Sequence, residues 1–564
     1  MSEAEPSSGE GRRAADGPTT PPGIAGLLAL PAALVLLAVV VERSAFLIDD
    51  AFISFRYARH WAAGLGLVYD LAPGAAAVEG YSNLLWVALL ALGERLGVAS
   101  EALANPLSVT CAGATVVLLA RVLRRELGLD GWSQLVGLTA LTAYPVFGVW
   151  ATGGLETALF GLLLLLTWSL LITPEGRREG LLGLLAGLAG GALVLTRVEG
   201  FLWIGGLLLA ALLAHGRALP RRRALLYLGL SLGVLAVQVA VRRSTHGEWV
   251  ANTVLAKSGL SGATLARGAR NLGTWAVLFV WPVLALAAPL VTRDPRQRAV
   301  ARSAALVVAG SLAYDLVTGG DWMPFFRFLA PTAAFSALLL ALLLDRLPAL
   351  PRLAAGAAAV GLAGLPLFDL HLVPRGLRED LYFREFLVGY QSEWQRWTTG
   401  VANTRANTWK GLALAEVSGP HETWTGGAIG VVAHLSEVTI LDRNGLVTPE
   451  VARREVEPGS GTAGHDKRVP RAWFRDRAPS FYEALYAPAT IPDSGPLFDQ
   501  AVRQLHGTVF RDPAEAPLYG CTRVEVRRIE GAEGLHDEAS VLLLVHTGPD
   551  EARAFWSRYG LGPR

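Results

Sequence analysis

Between Leu47 and Asp70 the sequence reads LIDDAFISFRYARHWAAGLGLVYD: two adjacent carboxylates, Asp49 and Asp50, directly after an apolar run, then Arg56, Arg59 and His60. On a helix, Asp49, Arg56 and His60 fall near one face, while Asp50, Ser54, Tyr57 and Trp61 follow a neighbouring stripe. A carboxylate held at a membrane edge can act as general base toward a sugar hydroxyl. Arginines beside it can grip a lipid phosphate through paired hydrogen bonds. Together these groups suit transfer of a group from a lipid-phosphate carrier to an acceptor outside the cell. The plain alternative is a helix start, in which one aspartate caps and the charges face water.

Four further stretches place polar groups beside apolar runs: TGGLET (Thr152 to Thr157), LTRVEGF (Leu195 to Phe201), NTVLAKSG (Asn252 to Gly259) and GGDWMPFFRF (Gly319 to Phe328). Polar groups at membrane depth are costly, so a set of them on one side points to a site. Glu156 can serve as an electrostatic partner or second acid, or cap a helix. Arg197 and Glu199 interrupt an apolar run and are expected to pair with each other or with backbone. Lys257, with Asn252, can contact phosphate or lie in a solvated loop. Asp321, Trp322 and Arg327 give an acid, an aromatic platform and a cation within seven residues, which suits a sugar phosphate, although interfacial Trp is also ordinary belt chemistry. His465, in GHDKRV, is a further binding candidate, and a surface loop accounts for it equally well. Three successive residues make poor metal ligands. Asp49 and Asp50 could hold a divalent cation, but neighbouring helical residues diverge, which favours one carboxylate in the site over two. No cofactor is required by any motif.

These residues need elements to hold them. The chain has 564 residues, 52% hydrophobic and 17% charged, which is too apolar for a soluble protein of this length. A net charge of +2 with dispersed basic residues leaves no nucleic-acid footprint. Residues 1–23 are polar, rich in Pro and Gly, and expected to be disordered. From 24 to 368 the sequence carries about eleven apolar runs, near 24–48, 107–120, 135–150, 158–172, 181–195, 201–213, 224–241, 272–291, 304–317, 329–344 and 353–368. Several are shorter than the ~20 residues a span prefers. Ser82 to Val98 carries Glu94 and Arg95 and reads as interfacial, so that residues 49–98 hold interfacial helices. With that choice, RVLRREL, EGRREG, RALPRRR, RDPRQRAVAR and DRLPALPR all fall on the cytoplasmic side, as does the N-terminus with Arg12 and Arg13. Residues 369–564 are polar, with strand-like stretches such as GAIGVVAHL, VTILD and SVLLLVH, and are expected to form an extracytoplasmic mixed α/β domain with its own core. The expected whole is an α-helical polytopic protein of a bacterial plasma membrane, with about eleven spans, a cytoplasmic N-terminus and an exterior C-terminus.

The block DDAFISFRYAR, GLGLVYD and VEGYSNLLW, followed by TGGLETALF, LTRVEGFL, NTVLAKSG and GGDWMPFFRFLAP, resembles bacterial GT-C glycosyltransferases. GAIGVVAHLSEVTILDRNGLVTPEVARR and GHDKRV look like the exterior domain of one branch, the terminal β-1,2-arabinofuranosyltransferases of actinobacterial cell-wall assembly. The resemblance implies an enzyme that moves arabinofuranose or a related sugar, with inversion, from a polyprenyl-phosphate donor to an extracytoplasmic glycan. It makes Asp49 or Asp50 the base, Arg56, Lys257 and Arg327 phosphate or sugar contacts, and Asp321 an orienting group. Where the branch tends to have an acid before a proline, this chain has Thr448 before Pro449. The rival readings are transfer of another lipid-linked sugar to a lipopolysaccharide-like glycan or protein, and a flippase of lipid-linked glycans. Transporters place binding residues near the midplane and often show paired repeats, and neither feature is evident here.

Overall fold

The computed structural model describes residues 23–561 apart from 73–76, 175, 177, 216–217, 258, 382–388, 420, 427, 457–460, 470–472, 474–476, 488–494, 510–518, 528–537, 548 and 560. Residues 1–22, with Arg12 and Arg13, lie outside the described residues. Among the described residues, seven helices are long and apolar enough to cross a membrane: Ile24–Ser44, Ser100–Glu126, Glu179–Thr196, Arg221–His246, Pro295–Thr318, Arg327–Leu344 and Ala349–Phe368. Two bent pairs, Gly131–Ala143 with Pro145–Ala151 and Gly262–Leu278 with Val280–Val291, raise the number to nine if each is one span. The first pair bends by 61° where Pro145 supplies no backbone N–H to continue the ladder. The last two apolar runs lie on helices Thr157–Ile172 and Gly200–His215, of 16 residues each. At 1.5 Å per residue such a helix covers about 24 Å, less than the ~30 Å hydrocarbon layer. All eleven runs are therefore helical, and seven to nine of them meet the length test for a span. Leu84–Arg95, within the segment read as interfacial, is a helix of only 12 residues.

Close packing follows from small residues. Helix Glu179–Thr196 presents Gly183, Gly187 and Gly190 to helix Arg221–His246, where an added Cβ would lie 2.9 Å from the Arg223 Cα, 2.8 Å from the Leu226 carbonyl and 2.4 Å from the Ser231 hydroxyl. In lipid, where apolar burial gives helices no net pull on each other, such backbone approach supplies the van der Waals contact.

After Phe368 the capping box of Ser392 and Gln395 starts a 25-residue helix, Glu393–Val417. A five-stranded sheet follows, in the order Thr439–Ile440, Thr423–Trp424, Phe481–Ala487, Glu538–His546, Tyr519–Arg527. Its first three strands pair in parallel and the rest antiparallel. Trp409, Leu414, Val431, Val432 and Ile440 belong to the same apolar core as Phe52, Phe55 and Trp86. A small separate core of Tyr482, Phe498, Val502, Leu505, Leu542, Leu544 and Trp556 lies further along. The stretch just beyond the helical bundle is thus packed as its continuation, and this positions the site described next.

Candidate active site

Helix Asp49–Ala62 is fixed at its start by TGGLET. Ile48 N–H donates to the Gly153 carbonyl at 3.2 Å and Gly153 N–H to the Phe46 carbonyl at 3.0 Å. Gly153 and Gly154 have φ of +89° and +77°, and a Cβ on Gly154 would lie 2.8 Å from those of Ala51 and from a Leu47 methyl. Here glycine is required by both backbone and space.

The two aspartates part company at once. Asp49 reaches the helix Gly430–Ser436, whose Gly430 and Val431 N–H groups donate to its carboxylate oxygens at 2.9 and 3.1 Å. It caps a helix nearly four hundred residues away rather than its own. Burial pushes its carboxyl up to about 6, against the pull of the two amides. Asp50, one residue on and turned by about 100°, borders two cavities.

The inner cavity, about 310 Å³, lies among the membrane-side helices and is bordered by Asp50, Ser54, Asn83, Glu156, Arg197, Glu199, Lys257, Tyr314 and Arg327. Its charges are organised. Arg197 donates to Glu156 at 2.9 Å and to Glu199 at 2.5 Å. The other Glu156 oxygen accepts from Asn83 at 2.8 Å, and Asn83 also meets Ser54. Arg327 donates to Asp321 at 2.9 Å. Lys257 borders the cavity with part of its side chain open to solvent, and desolvation draws its ammonium below the usual lysine range while the Asp50 carboxylate works the other way. Phe201 and Leu202, about half exposed, form an apolar edge to this cavity.

The outer cavity, about 480 Å³, lies between Asp50 and helix Glu393–Val417 and is bordered by Asp49, Trp322, Arg396, Trp397, Asn403, Asn407, Lys410, Trp424, Asn444, His465 and Arg468, so Asp49 meets this cavity alone and Asp50 meets both. Its inner wall is the turn at 319–327, where Phe325 and Phe326 hold left-handed φ of 54° and 50°. That strain needs outside support. Glu393 supplies it by accepting the Phe325 N–H at 2.5 Å, while Arg396 pairs with Glu393 at 2.9 Å and donates to the Trp322 carbonyl. Trp322 meets the His465 ring edge to face at 5.6 Å. His465 is half-buried, and desolvation lowers its pKa to about 4, helped by the nearby Lys257 charge.

The structure thus brings Asp50, Glu156, Arg197, Glu199, Lys257, Asp321, Trp322, Arg327 and His465 around one place. It corrects the expected phosphate role of two arginines. Arg56 is fully buried and donates to the carbonyls of Tyr69 at 2.6 Å, Val438 at 3.1 Å and Ala433, and to Asp70 at 3.3 Å. Arg59 binds the His434 carbonyl and Glu437. Neither borders the two cavities: Tyr69, Asp70 and the 433–438 segment hold Arg56, and His434 with Glu437 engages one end of the Arg59 guanidinium. Asn252 likewise donates to the Gly445 and Leu446 carbonyls at 2.7 and 2.8 Å, so it holds a turn beside the site instead of lining it. Among the described residues, no group of three or more His, Cys, Asp or Glu side chains stands together to hold a metal ion. The sequence motifs do not single out Asn83, Tyr314 or the polar face of helix Glu393–Val417, and they place Ser54 on the Asp50 stripe without a role. The spacing of Asn403, Asn407 and Lys410 was the available signal for that face.

No family model and no curated protein matches the chain. Among solved structures it is similar to the crystal structure of ArnT from Cupriavidus metallidurans bound to undecaprenyl phosphate, with a TM-score of 0.53 and 14% identity over 92% of this chain and 97% of that one. It is also similar to the arabinofuranosyltransferase AftD from mycobacteria, with a TM-score of 0.50 and 15% identity over 93% of this chain and 40% of that one. The chain shares the overall fold of these proteins. At such identities the likeness is one of architecture.

Proposed function

We propose that the protein is an integral-membrane glycosyltransferase that moves arabinofuranose or a related sugar from a polyprenyl-phosphate donor to a glycan hydroxyl, with inversion and with Asp50 as general base. One observation carries this reading: among the described residues, Asp50 is the only titratable side chain that borders both cavities. A base that must touch an acceptor on one side and a donor on the other belongs at such a junction.

The donor occupies the inner cavity. Lys257 and Arg327 meet the phosphate, Glu156 and Glu199 accept sugar hydroxyls while Arg197 holds them, and Phe201 with Leu202 receives the start of the prenyl chain. Asp321 fixes the Arg327 fork. ArnT, similar in fold, was solved with undecaprenyl phosphate bound, which supports a lipid-phosphate donor here. The acceptor occupies the outer cavity, where Trp322 and His465 stand beside the polar face of helix Glu393–Val417. Asp50 takes the proton of the acceptor hydroxyl as its oxygen bonds to the anomeric carbon. The bond from that carbon to the phosphate oxygen breaks, and the electron pair leaves with polyprenyl phosphate. A phosphate is a good enough leaving group to need no strong acid behind it. The grouping of arginine-rich loops supports a cytoplasmic N-terminus, with residues after Phe368 outside a bacterial plasma membrane.

The test is to incubate the purified protein with a panel of polyprenyl-phosphate sugars and an oligosaccharide acceptor. Consumption of one donor, with matching release of polyprenyl phosphate and extension of the acceptor, is expected. No consumption of any donor contradicts the proposal.

A further inference from the structure

Two irregular segments frame the outer cavity: 319–327, which carries Trp322, and 461–469, which carries His465. Both are fastened to a single side chain. Arg267, on helix Gly262–Leu278, donates from Nε to the Gly319 carbonyl at 3.0 Å and from Nη1 to the Gly461 carbonyl at 2.8 Å. The same guanidinium grips the Asp466 carboxylate in two places, at 3.0 and 3.2 Å. Asp466 also accepts the Gly461 N–H at 2.9 Å, which closes its own loop. The two charged side chains are only 10% and 11% exposed, so water competes weakly and the planar fork fixes direction as well as distance.

Neither Arg267 nor Asp466 borders the inner or the outer cavity, yet neighbours of both line the outer one. His465 immediately precedes Asp466, and Trp322 lies three residues beyond Gly319. The two rings meet edge to face at 5.6 Å. His465 Nδ1 is 3.1 Å from the Ala463 carbonyl, which can only accept, so Nδ1 carries the proton and Nε2 is the basic nitrogen of the neutral ring. A turn of either segment about its anchor would move one ring away from the other.

We propose that Arg267 and Asp466 are positioning residues for the acceptor: their ion pair holds Trp322 and His465 in mutual register as the wall that orients the incoming hydroxyl toward Asp50. The kinetic part of this claim rests on the glycosyltransferase reading. The pair spans the helical bundle and the exterior segment, so one contact aligns a wall built from both. The donor cavity shares neither ring.

The experiment compares full-length wild type, Arg267→Ala, Asp466→Asn and the double variant, with Arg267→Lys as the conservative change. Two readouts are taken: Michaelis constants for an undecaprenyl-phosphate-linked sugar and a synthetic oligosaccharide acceptor, and hydrogen exchange of the 319–324 and 461–469 amides. Each single substitution is expected to raise the acceptor KM about tenfold, leave kcat and the donor KM within twofold, and speed exchange in both segments. The double variant should be no worse than either single one, because both remove the same contact. Arg267→Lys should recover part of the loss, since an ammonium reaches Asp466 but cannot also serve both carbonyls. Asp466→Asn, which keeps the side-chain size, decides the matter if Arg267→Ala lowers the yield of folded protein. Unchanged exchange, an unmoved acceptor KM, or an equal loss in donor and acceptor constants would overturn the proposal. If wild type consumes no donor, the enzyme reading fails separately, and exchange alone decides: faster exchange in both segments on either single substitution supports the coupling, and exchange as in wild type ends it.

Discussion

On one side of Asp50, charges answer one another: Arg197 pairs with Glu156 and Glu199, and Arg327 with Asp321, all nearly buried. On the other side the lining is mostly amides, tryptophans and the polar face of one long helix, and Asn403 is open to solvent. The inner wall suits a ligand that brings a fixed charge and must be held without water. The outer wall, where Arg396, Lys410 and Arg468 stand among the amides and tryptophans, suits a hydroxyl-rich ligand that has to arrive, react and leave. A buried ion network is costly to break, whereas truncating one side chain of a wet polar wall removes only a local contact.

The comparison can be broken most forcefully at Arg197. Arg197→Ala strands two buried carboxylates, and losses of about 3–5 kcal/mol are typical when one partner of a buried pair is removed. The expected outcome is a large fall in thermal stability in detergent together with loss of donor turnover. Wild-type stability would show that the inner cavity is wet and its pairing incidental. Next comes Lys257→Ala, which removes a cation that borders the inner cavity together with Asp50. The donor KM should rise ten- to a hundredfold while the acceptor KM stays within twofold, and the opposite split would exchange the two cavities. Asn407→Ala, on the outer wall, should raise the acceptor KM about three- to tenfold and leave donor binding alone.

The smallest effect concerns pH. Asp49 titrates near 6 in the folded protein against 3.8 for a free side chain, so the folded state holds this proton more tightly than the unfolded chain does. Its contribution to stability is therefore greatest below about 4 and is withdrawn as pH rises toward 6. Asp49→Asn should flatten the dependence of melting temperature on pH across that window. An unaltered slope would mean that Asp49 is solvated and caps nothing.

Much of this was legible in the sequence because it is written locally. All eleven apolar runs lie on helices, and the motifs around Glu156, Arg197, Lys257 and Asp321 do converge, since each ends or begins an element at the same end of the bundle. What could not be read is what distant segments do to local groups. What sets Asp49 apart from Asp50 is the helix that starts at Gly430, 381 residues from Asp49, whose amides hold the Asp49 carboxylate. Arg56 looks like a phosphate ligand until the carbonyls of Ala433 and Val438 occupy it. The stripe of Asn403, Asn407 and Lys410 has the period of any solvated helix face, and only the cavity opposite gives it meaning. Two apolar runs fold as helices too short to cross a membrane upright, and two more are bent, so composition alone overstates the count of straight spans.

The most direct test of the central claim is to measure transfer by purified Asp50→Asn beside Asp49→Asn, each checked for folding. Removal of a general base costs about 10²- to 10⁴-fold. The account predicts that Asp50→Asn falls within or below that range while binding donor normally, and that Asp49→Asn, still able to accept one amide hydrogen, loses tenfold or less. Near-normal transfer by Asp50→Asn, or a larger loss at Asp49, would contradict it.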